Sequence, residues 1–281
     1  MFPKINTCDG IYSSLDVRFT KSCDNSCSFC IEKRGLDSLG QTNIDKMVES
    51  VKNSGIKDIL ILGGEPFINP NKLLDFVSKI RPIVDKIYIT TALPISFILK
   101  QEICNQIIDQ IDGLNISIQS IDNNKNIEVL QASSSHDRIK LLQKLLARNL
   151  DKIRVSINLS RGGIDSKEKL DRTINFLAEI GCKNLKINEL QNSPENYISY
   201  EKLMGEKLNS PFSGGCQTKI NHPIINIILK RSCFLTEKSL NASWKDLFKT
   251  IFNLFRRQTN KFAVMYENGS ITNNWKIQYE N

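Results

Sequence analysis

Six stretches of the chain alternate apolar and polar residues or run apolar throughout, and each predicts a β-strand: Leu15–Thr20, Asp58–Leu62, Lys86–Thr91, Gly113–Ser120, Ile153–Ser160 and Asn184–Leu190. Between them, apolar residues return at helical spacing. Ile44, Met47, Val48 and Val51 make one such set, and Leu73, Leu74, Phe76, Val77 and Ile80 another. A third runs from His136 to Arg148 with Ile139, Leu141, Leu142, Leu145 and Leu146, and a fourth from Ser166 to Ile180, closed by Gly181 as the C-cap. This order of βα units predicts an α/β fold with a parallel sheet and right-handed crossovers. The chain after residue 195 is too short for eight units. The expectation is a partial (βα)6 TIM-like barrel, open on one side, with its site at the carboxyl ends of the strands.

The strands carry polar residues on one face. Asp16, Arg18 and Thr20 alternate with apolar neighbours, as do Asn115, Ser117 and Gln119, then Arg154, Ser156, Asn158 and Ser160, then Lys186 and Asn188. A parallel strand covered on both sides is apolar throughout, as the run Ile59–Leu62 is. Successive side chains point to opposite faces, so the apolar face meets the helices and the polar face lines the lumen. Burying unmatched polar groups is costly. The lumen is therefore expected to hold water or a polar ligand. An edge strand with one solvated face explains one or two such patterns, not four.

After Pro194 the pattern changes. Residues 192–196 form a turn cluster, and residues 223–235 read as an apolar strand-like run. Ser243 opens a helix whose apolar face carries Trp244, Leu247, Phe248, Ile251, Leu254 and Phe255, and a hairpin follows around Glu267-Asn268-Gly269. The expected division is a barrel core over 1–195 and a C-terminal α+β extension over 196–281 that covers the substrate. From residue 201 onward there are twelve Lys and Arg against six Asp and Glu, so most of the net charge of +8 lies here. Such a basic segment fits an anionic substrate, nucleic acid or simply a soluble face. No apolar run approaches a membrane span. Met1-Phe2-Pro3-Lys4 leads into polar sequence, without the apolar core of a signal peptide. A cytoplasmic location is expected.

The chemistry concentrates in two places. Cys23, Cys27 and Cys30 form a CxxxCxxC pattern just after the first strand. Three close thiolates suit an iron–sulfur cluster with one iron left open. Structural zinc takes four ligands, which would require a distant Cys8 or Cys216. A disulfide framework is not expected in a chain long enough to bury an ample core. The second place is Gly63-Gly64-Glu65-Pro66, at the end of the buried second strand. Two glycines there permit close approach to the backbone, and a glutamate can accept hydrogen bonds from an ammonium group.

Together, the CxxxCxxC triplet with Phe29 before its last cysteine and the Gly63-Gly64-Glu65 motif resemble the radical S-adenosylmethionine (SAM) superfamily, over about residues 12–195. The resemblance implies a [4Fe–4S] cluster on Cys23, Cys27 and Cys30. SAM would chelate the fourth iron, and its reductive cleavage would give a 5′-deoxyadenosyl radical that abstracts hydrogen from a substrate carbon. Gly63, Gly64 and Glu65 would hold the SAM amino group. Ser117 and Gln119 would contact the ribose, and Ser160 or Arg161 the carboxylate. A one-electron reductant such as flavodoxin or ferredoxin would be a partner.

Substrate contacts follow from the polar lumen. Arg154 and Lys186 face inward and suit an acidic group, with Glu189 and Gln191 at the mouth. Cys104 and Cys182 read as small buried hydrophobes. Cys216 and Cys233 lie beyond the barrel, either as thiols that return a hydrogen atom to a product radical or as structural residues; two cysteines do not make an ordinary four-cysteine cluster site. The resulting expectation is an enzyme acting on a polar, small biosynthetic substrate. Modification of tRNA or a ribosomal peptide is the runner-up, through the basic C-terminal segment. A non-catalytic metal- or cluster-binding module is the alternative of another class.

Overall fold

The computed structural model describes residues 14–30, 41–148, 151–191, 193–205, 217–232 and 263–272. The six expected strands are present as β1 (Leu15–Thr20), β2 (Asp58–Gly63), β3 (Lys86–Thr91), β4 (Gly113–Ile118), β5 (Ile153–Leu159) and β6 (Asn184–Glu189). They pair in sequence order, all parallel. Their outward residues, such as Val17, Ile61, Ile89, Ile116, Val155 and Ile187, are fully buried and build the core beneath the helices. The mixed α/β fold with a central, mostly parallel sheet is the one the sequence pattern predicts.

The helices between these strands are set by local signals. α1 (Ile44–Ser54) starts at Asn43, whose side chain accepts a hydrogen bond from Lys46 N, and stops at Gly55 in the left-handed region. α2 (Pro70–Ile80) has Asn69 as its cap and proline at its first position. The short α3 (Ser96–Leu99) and α4 (Gln101–Gln110) fill the third crossover, and α5 (Asn123–Leu130) begins the fourth. α6 (Arg138–Leu146) is capped by Asp137 and α7 (Lys167–Glu179) by Ser166. α8 (Tyr200–Met204) follows β6.

The C-terminal segments join the same sheet at both edges. β7 (Gln217–Ile220) and β8 (Asn226–Lys230) form an antiparallel pair, and β8 runs parallel to β6. β9 (Ala263–Met265) runs parallel to β1 and turns back into β10 (Ile271–Thr272) through the expected hairpin. The sheet order is therefore β10-β9-β1-β2-β3-β4-β5-β6-β8-β7. The expected helix opening at Ser243 lies outside the described residues. No helix among the described residues is long and apolar enough to cross a membrane.

Candidate active site

The two sequence motifs meet in space. β1 leads directly into the cysteine loop, and β2 ends beside it. Gly64 N donates to Thr20 O at 2.6 Å and Glu65 N to Ser22 O at 2.8 Å, which staples the Gly-Gly-Glu turn to the loop's first residues. The glycines are required by this contact. A β-carbon on Gly63 would stand 2.6 Å from Thr20 O; one on Gly64 would overlap Ser22 O and stand 2.6 Å from Lys21 O. Gly63 also holds φ at 126°, a conformation side chains rarely adopt. The close approach to these glycines is thus made by the chain's own backbone.

Glu65 is 2% exposed. Its Oε1 accepts hydrogen bonds from Phe67 N and Thr91 Oγ1, and its Oε2 from Ala92 N. It ties the end of β2 to the end of β3. Burial pushes its carboxyl up to about 7, against the three hydrogen bonds that favour the charged form. A carboxylate accepts about four hydrogen bonds, so these three donors leave it room for an ammonium group.

The three cysteines are free thiols on one loop, Cys23 exposed and Cys27 and Cys30 half-buried. Cys30 N donates to Cys27 O, a tight turn that draws these two together. Cys27 Sγ points at Leu130 O, and Ser26 N bonds the same carbonyl, so the loop rests on the end of α5. Cys23 as a residue is open to solvent, yet crowding around its thiol pushes it up to about 11; the Asn25 N–H works against this, and the negative charges of Glu65, Asp24 and Cys30 add to it. Among the described residues no three metal-ligating side chains converge on a single ion.

The carboxyl ends of β4 and β5 supply a second wall. Gln119 is 1% exposed; its amide donates to Ser117 Oγ, and its N–H to Asn126 Oδ1. Its Oε1 is buried with no partner among the described residues, and so is Ser160 Oγ. Buried orphans are uncommon, and each calls for a partner such as an ordered water or a ligand. Two of the residues expected to contact SAM thus carry an unfilled polar atom. Arg161 is exposed, with its N–H on Asn196 O.

Deeper in the lumen lie Arg154 and Lys186. Arg154 Nε donates to Asn115 Oδ1 at 2.8 Å, and Asn115 in turn donates to Thr90 Oγ1. Burial lowers the Arg154 guanidinium to about 10, with Tyr88 opposing the shift. Lys186 keeps part of its surface open, yet burial pushes its ammonium well below the usual lysine range, helped by repulsion from Lys230 and Arg154 and opposed by Asp16. Two more expected contacts brace the rim. Glu189 is 4% exposed and accepts from Tyr200 N, Ser232 N and Tyr197 OH. Gln191 Nε2 donates to Glu189 O and Arg231 O. Cys8, Cys216 and Cys233 lie outside the described residues. Cys104 and Cys182 are buried, as expected of small hydrophobes.

Sequence reasoning missed Arg138 and its partners Asp24 and Asn25. A usable signal was present, because Arg138, Leu142 and Leu145 fall at i, i+4 and i+7 and so share the buried face of α6.

A cysteine triplet after the first strand, with a Gly-Gly-Glu turn stapled to it, stands at the carboxyl end of a partial barrel. The chain belongs to the radical SAM superfamily, whose family model matches residues 17–188. Members of that superfamily use a [4Fe–4S] cluster and SAM. The chain is 26% identical over 207 residues to a GTP 3′,8-cyclase of Clostridium botulinum, covering 68% of this chain and 63% of that protein. It is 27% identical over 116 residues to a probable GTP 3′,8-cyclase of Pyrococcus horikoshii, covering 40% of this chain and 36% of that one. It thus spans only part of these relatives. Among solved structures, SuiB of Streptococcus suis bound to S-adenosylmethionine shares the fold, with a TM-score of 0.57 at 16% identity over 94% of this chain and 60% of that one.

Proposed function

We propose that this enzyme holds its [4Fe–4S] cluster on Cys23, Cys27 and Cys30, and acts on a small anionic substrate seated against Arg154 and Lys186. When bound, the cluster and SAM supply a 5′-deoxyadenosyl radical that takes hydrogen from the substrate. The chain's own residues bind and orient. Glu65 offers its remaining acceptor capacity to the SAM ammonium, with Gly63 and Gly64 beside it. Gln119 Oε1 accepts from the ribose hydroxyls, with Ser117 behind it. Ser160 Oγ or Arg161 donates to the SAM carboxylate. Glu189 and Gln191 hold the rim in shape, and the segment after residue 196 covers the lumen.

The observation that carries the substrate class is the pair of desolvated cations in the lumen. Lys186 is held in a state that disfavours its own charge. An anion beside it reverses that penalty. A phosphate-bearing nucleotide is the first candidate, and GTP the first nucleotide to try, because the relatives are GTP 3′,8-cyclases.

The test is anaerobic reconstitution with SAM, dithionite and a panel of anionic metabolites that includes GTP. Release of 5′-deoxyadenosine, and its stimulation by a substrate, are measured in the parent and in Arg154→Met and Lys186→Met. The expected result is cleavage of SAM by all three proteins, with substrate stimulation lost in the two variants. Stimulation untouched by both substitutions would refute the substrate site, and absence of SAM cleavage by the iron-loaded parent would refute the reaction.

A further inference from the structure

Beneath the cysteine loop lies a guanidinium that the proposed chemistry does not use. The Arg138 side chain is fully buried, and each of its nitrogens has a partner. Nε donates to Ala92 O at 3.1 Å and Nη1 to Ser134 O at 3.2 Å. Nη2 donates to Asn25 Oδ1 at 3.3 Å and to Asp24 Oδ2 at 3.4 Å. The ion pair with Asp24 is shielded from water on both sides, at 0% and 8% side-chain exposure. One residue thus links the cysteine loop, the end of β3 and the segment before α6.

The link continues to the Gly-Gly-Glu turn. The Ala92 N–H is bonded by Glu65 and the Ala92 carbonyl by Arg138. One residue of β3's exit is therefore gripped by a buried acid from one side and a buried cation from the other. The backbone there is unusual as well. Leu93, fully buried, has φ of 55° and is held by Thr91 Oγ1 at its N–H and by His136 at its carbonyl. Side chains reach that region at a cost, which persists only where surrounding contacts impose it.

We propose that Arg138 is a positioning residue for the cluster loop, and that its fixed charge raises the reduction potential of the cluster held there. The proposal rests on Cys23, Cys27 and Cys30 being the cluster's ligands. Hydrogen bonds to Asp24 and Asn25 hold two of the three residues between the first and second cysteines. Its fork bonds the two residues that follow Cys23, and the negative groups of Asp24, then Glu65, then Cys23 and Cys27, favour the charged guanidinium. Burial opposes the charge, but arginine does not give up its proton within proteins. One-electron reduction adds a negative charge to the cluster. A buried cation nearby stabilises that state, and an anion nearby opposes it; net charge is one of the terms that set such potentials. Asp24 and Arg138 therefore pull the potential in opposite directions, although they support the same loop.

This opposition gives the test. The cluster is reconstituted in the parent protein, Arg138→Gln, Arg138→Lys and Asp24→Asn, and in Cys27→Ala as a control. Iron content and the midpoint of an EPR-monitored redox titration are read in each. Arg138→Gln is expected to lower the midpoint and Asp24→Asn to raise it. Each shift should change the reduction equilibrium by about tenfold, which is about 59 mV for one electron. Arg138→Lys keeps the charge but loses the planar fork, so its midpoint should stay near the parent's while its iron content falls. A merely structural role would move Arg138→Gln and Asp24→Asn in the same direction. Shifts of the same sign, or no shift, in variants that retain iron would overturn the proposal. If Arg138→Gln does not fold, the double variant Arg138→Gln/Asp24→Asn, which removes both charges of the pair, should have a midpoint below that of Asp24→Asn, and an equal or higher midpoint would overturn the proposal. Full iron in Cys27→Ala would instead overturn the ligand assignment, which separates the two failures.

Discussion

Glu65 shows how one residue can serve the fold and a ligand together. Its carboxyl is raised from 4.5 to about 7 by burial. A raised carboxyl favours the folded state in its protonated form. Its contribution to apo-protein stability is therefore full below pH 4.5 and is lost as pH rises through about 7, a swing of about 3 kcal/mol. Denaturant unfolding of the apo-protein between pH 4.5 and 8 should show this decline, and Glu65→Gln should lack it. Equal slopes in the two proteins would mean that Glu65 does not titrate there. In the SAM-binding role, Glu65→Ala should weaken SAM by about 2–3 kcal/mol while iron stays in place, as expected for loss of a charge-assisted hydrogen bond. Gly64 makes the complementary case. Gly64→Ala must push back the Ser22 and Lys21 carbonyls, so it should cost about 1–3 kcal/mol, as for other overpacked sites, and reduce iron loading. Iron and melting temperature equal to the parent's would show that the staple between turn and loop is dispensable.

Among the elements, the strand bodies follow the apolar pattern, and the ends do not. β4 was expected to reach Ser120 but stops at Ile118, because the Gln119 N–H bonds the Asn126 side chain and leaves the ladder. β5 stops at Leu159, since Ser160 turns into an isolated bridge with Tyr197. These breaks take Gln119 and Ser160 out of the ladder at the carboxyl ends of β4 and β5. β6 ends at Glu189, whose carboxylate gathers the N–H groups of Tyr200 and Ser232 from two later segments. Glu189→Ala would strand those buried donors, at about 1–3 kcal/mol each. Hydrogen exchange should speed up at the Tyr200 and Ser232 amides while β1–β3 stay protected. Unchanged exchange at both amides would show that the C-terminal segments dock without Glu189.

At the scale of the whole molecule, the chain returns to its own beginning. β9 covers the outer edge of β1, and Glu267, just beyond it, faces the fully buried Arg18 at 3.7 Å. Arg18 also lies 5.5 Å from the centre of the buried Tyr266 ring. Deleting residues 263–281 would expose a strand edge and remove the carboxylate beside a buried cation. Both effects favour aggregation and instability. Light scattering and thermal unfolding should show oligomers or early melting. A monomer as stable as the parent would mean that this edge needs no cover.

The order of strands and helices was legible because burial of one face imposes periods of two and 3.6 on the sequence, and local signals such as Ser166 and Gly181 mark the boundaries. Cys23, Cys27, Cys30 and Gly63–Glu65 were legible because each motif is contiguous, so its chemistry survives without knowledge of the fold. The inward direction of Arg154 and Lys186 came from strand alternation alone. What the tertiary structure decided is long-range. It stapled the glycine turn to the cysteine loop, placed Arg138 under that loop more than a hundred residues later in the chain, and joined the C-terminal strands to both edges of the sheet. Those contacts depend on which surfaces meet after folding, and a pattern read along the chain holds no record of partners far apart in it.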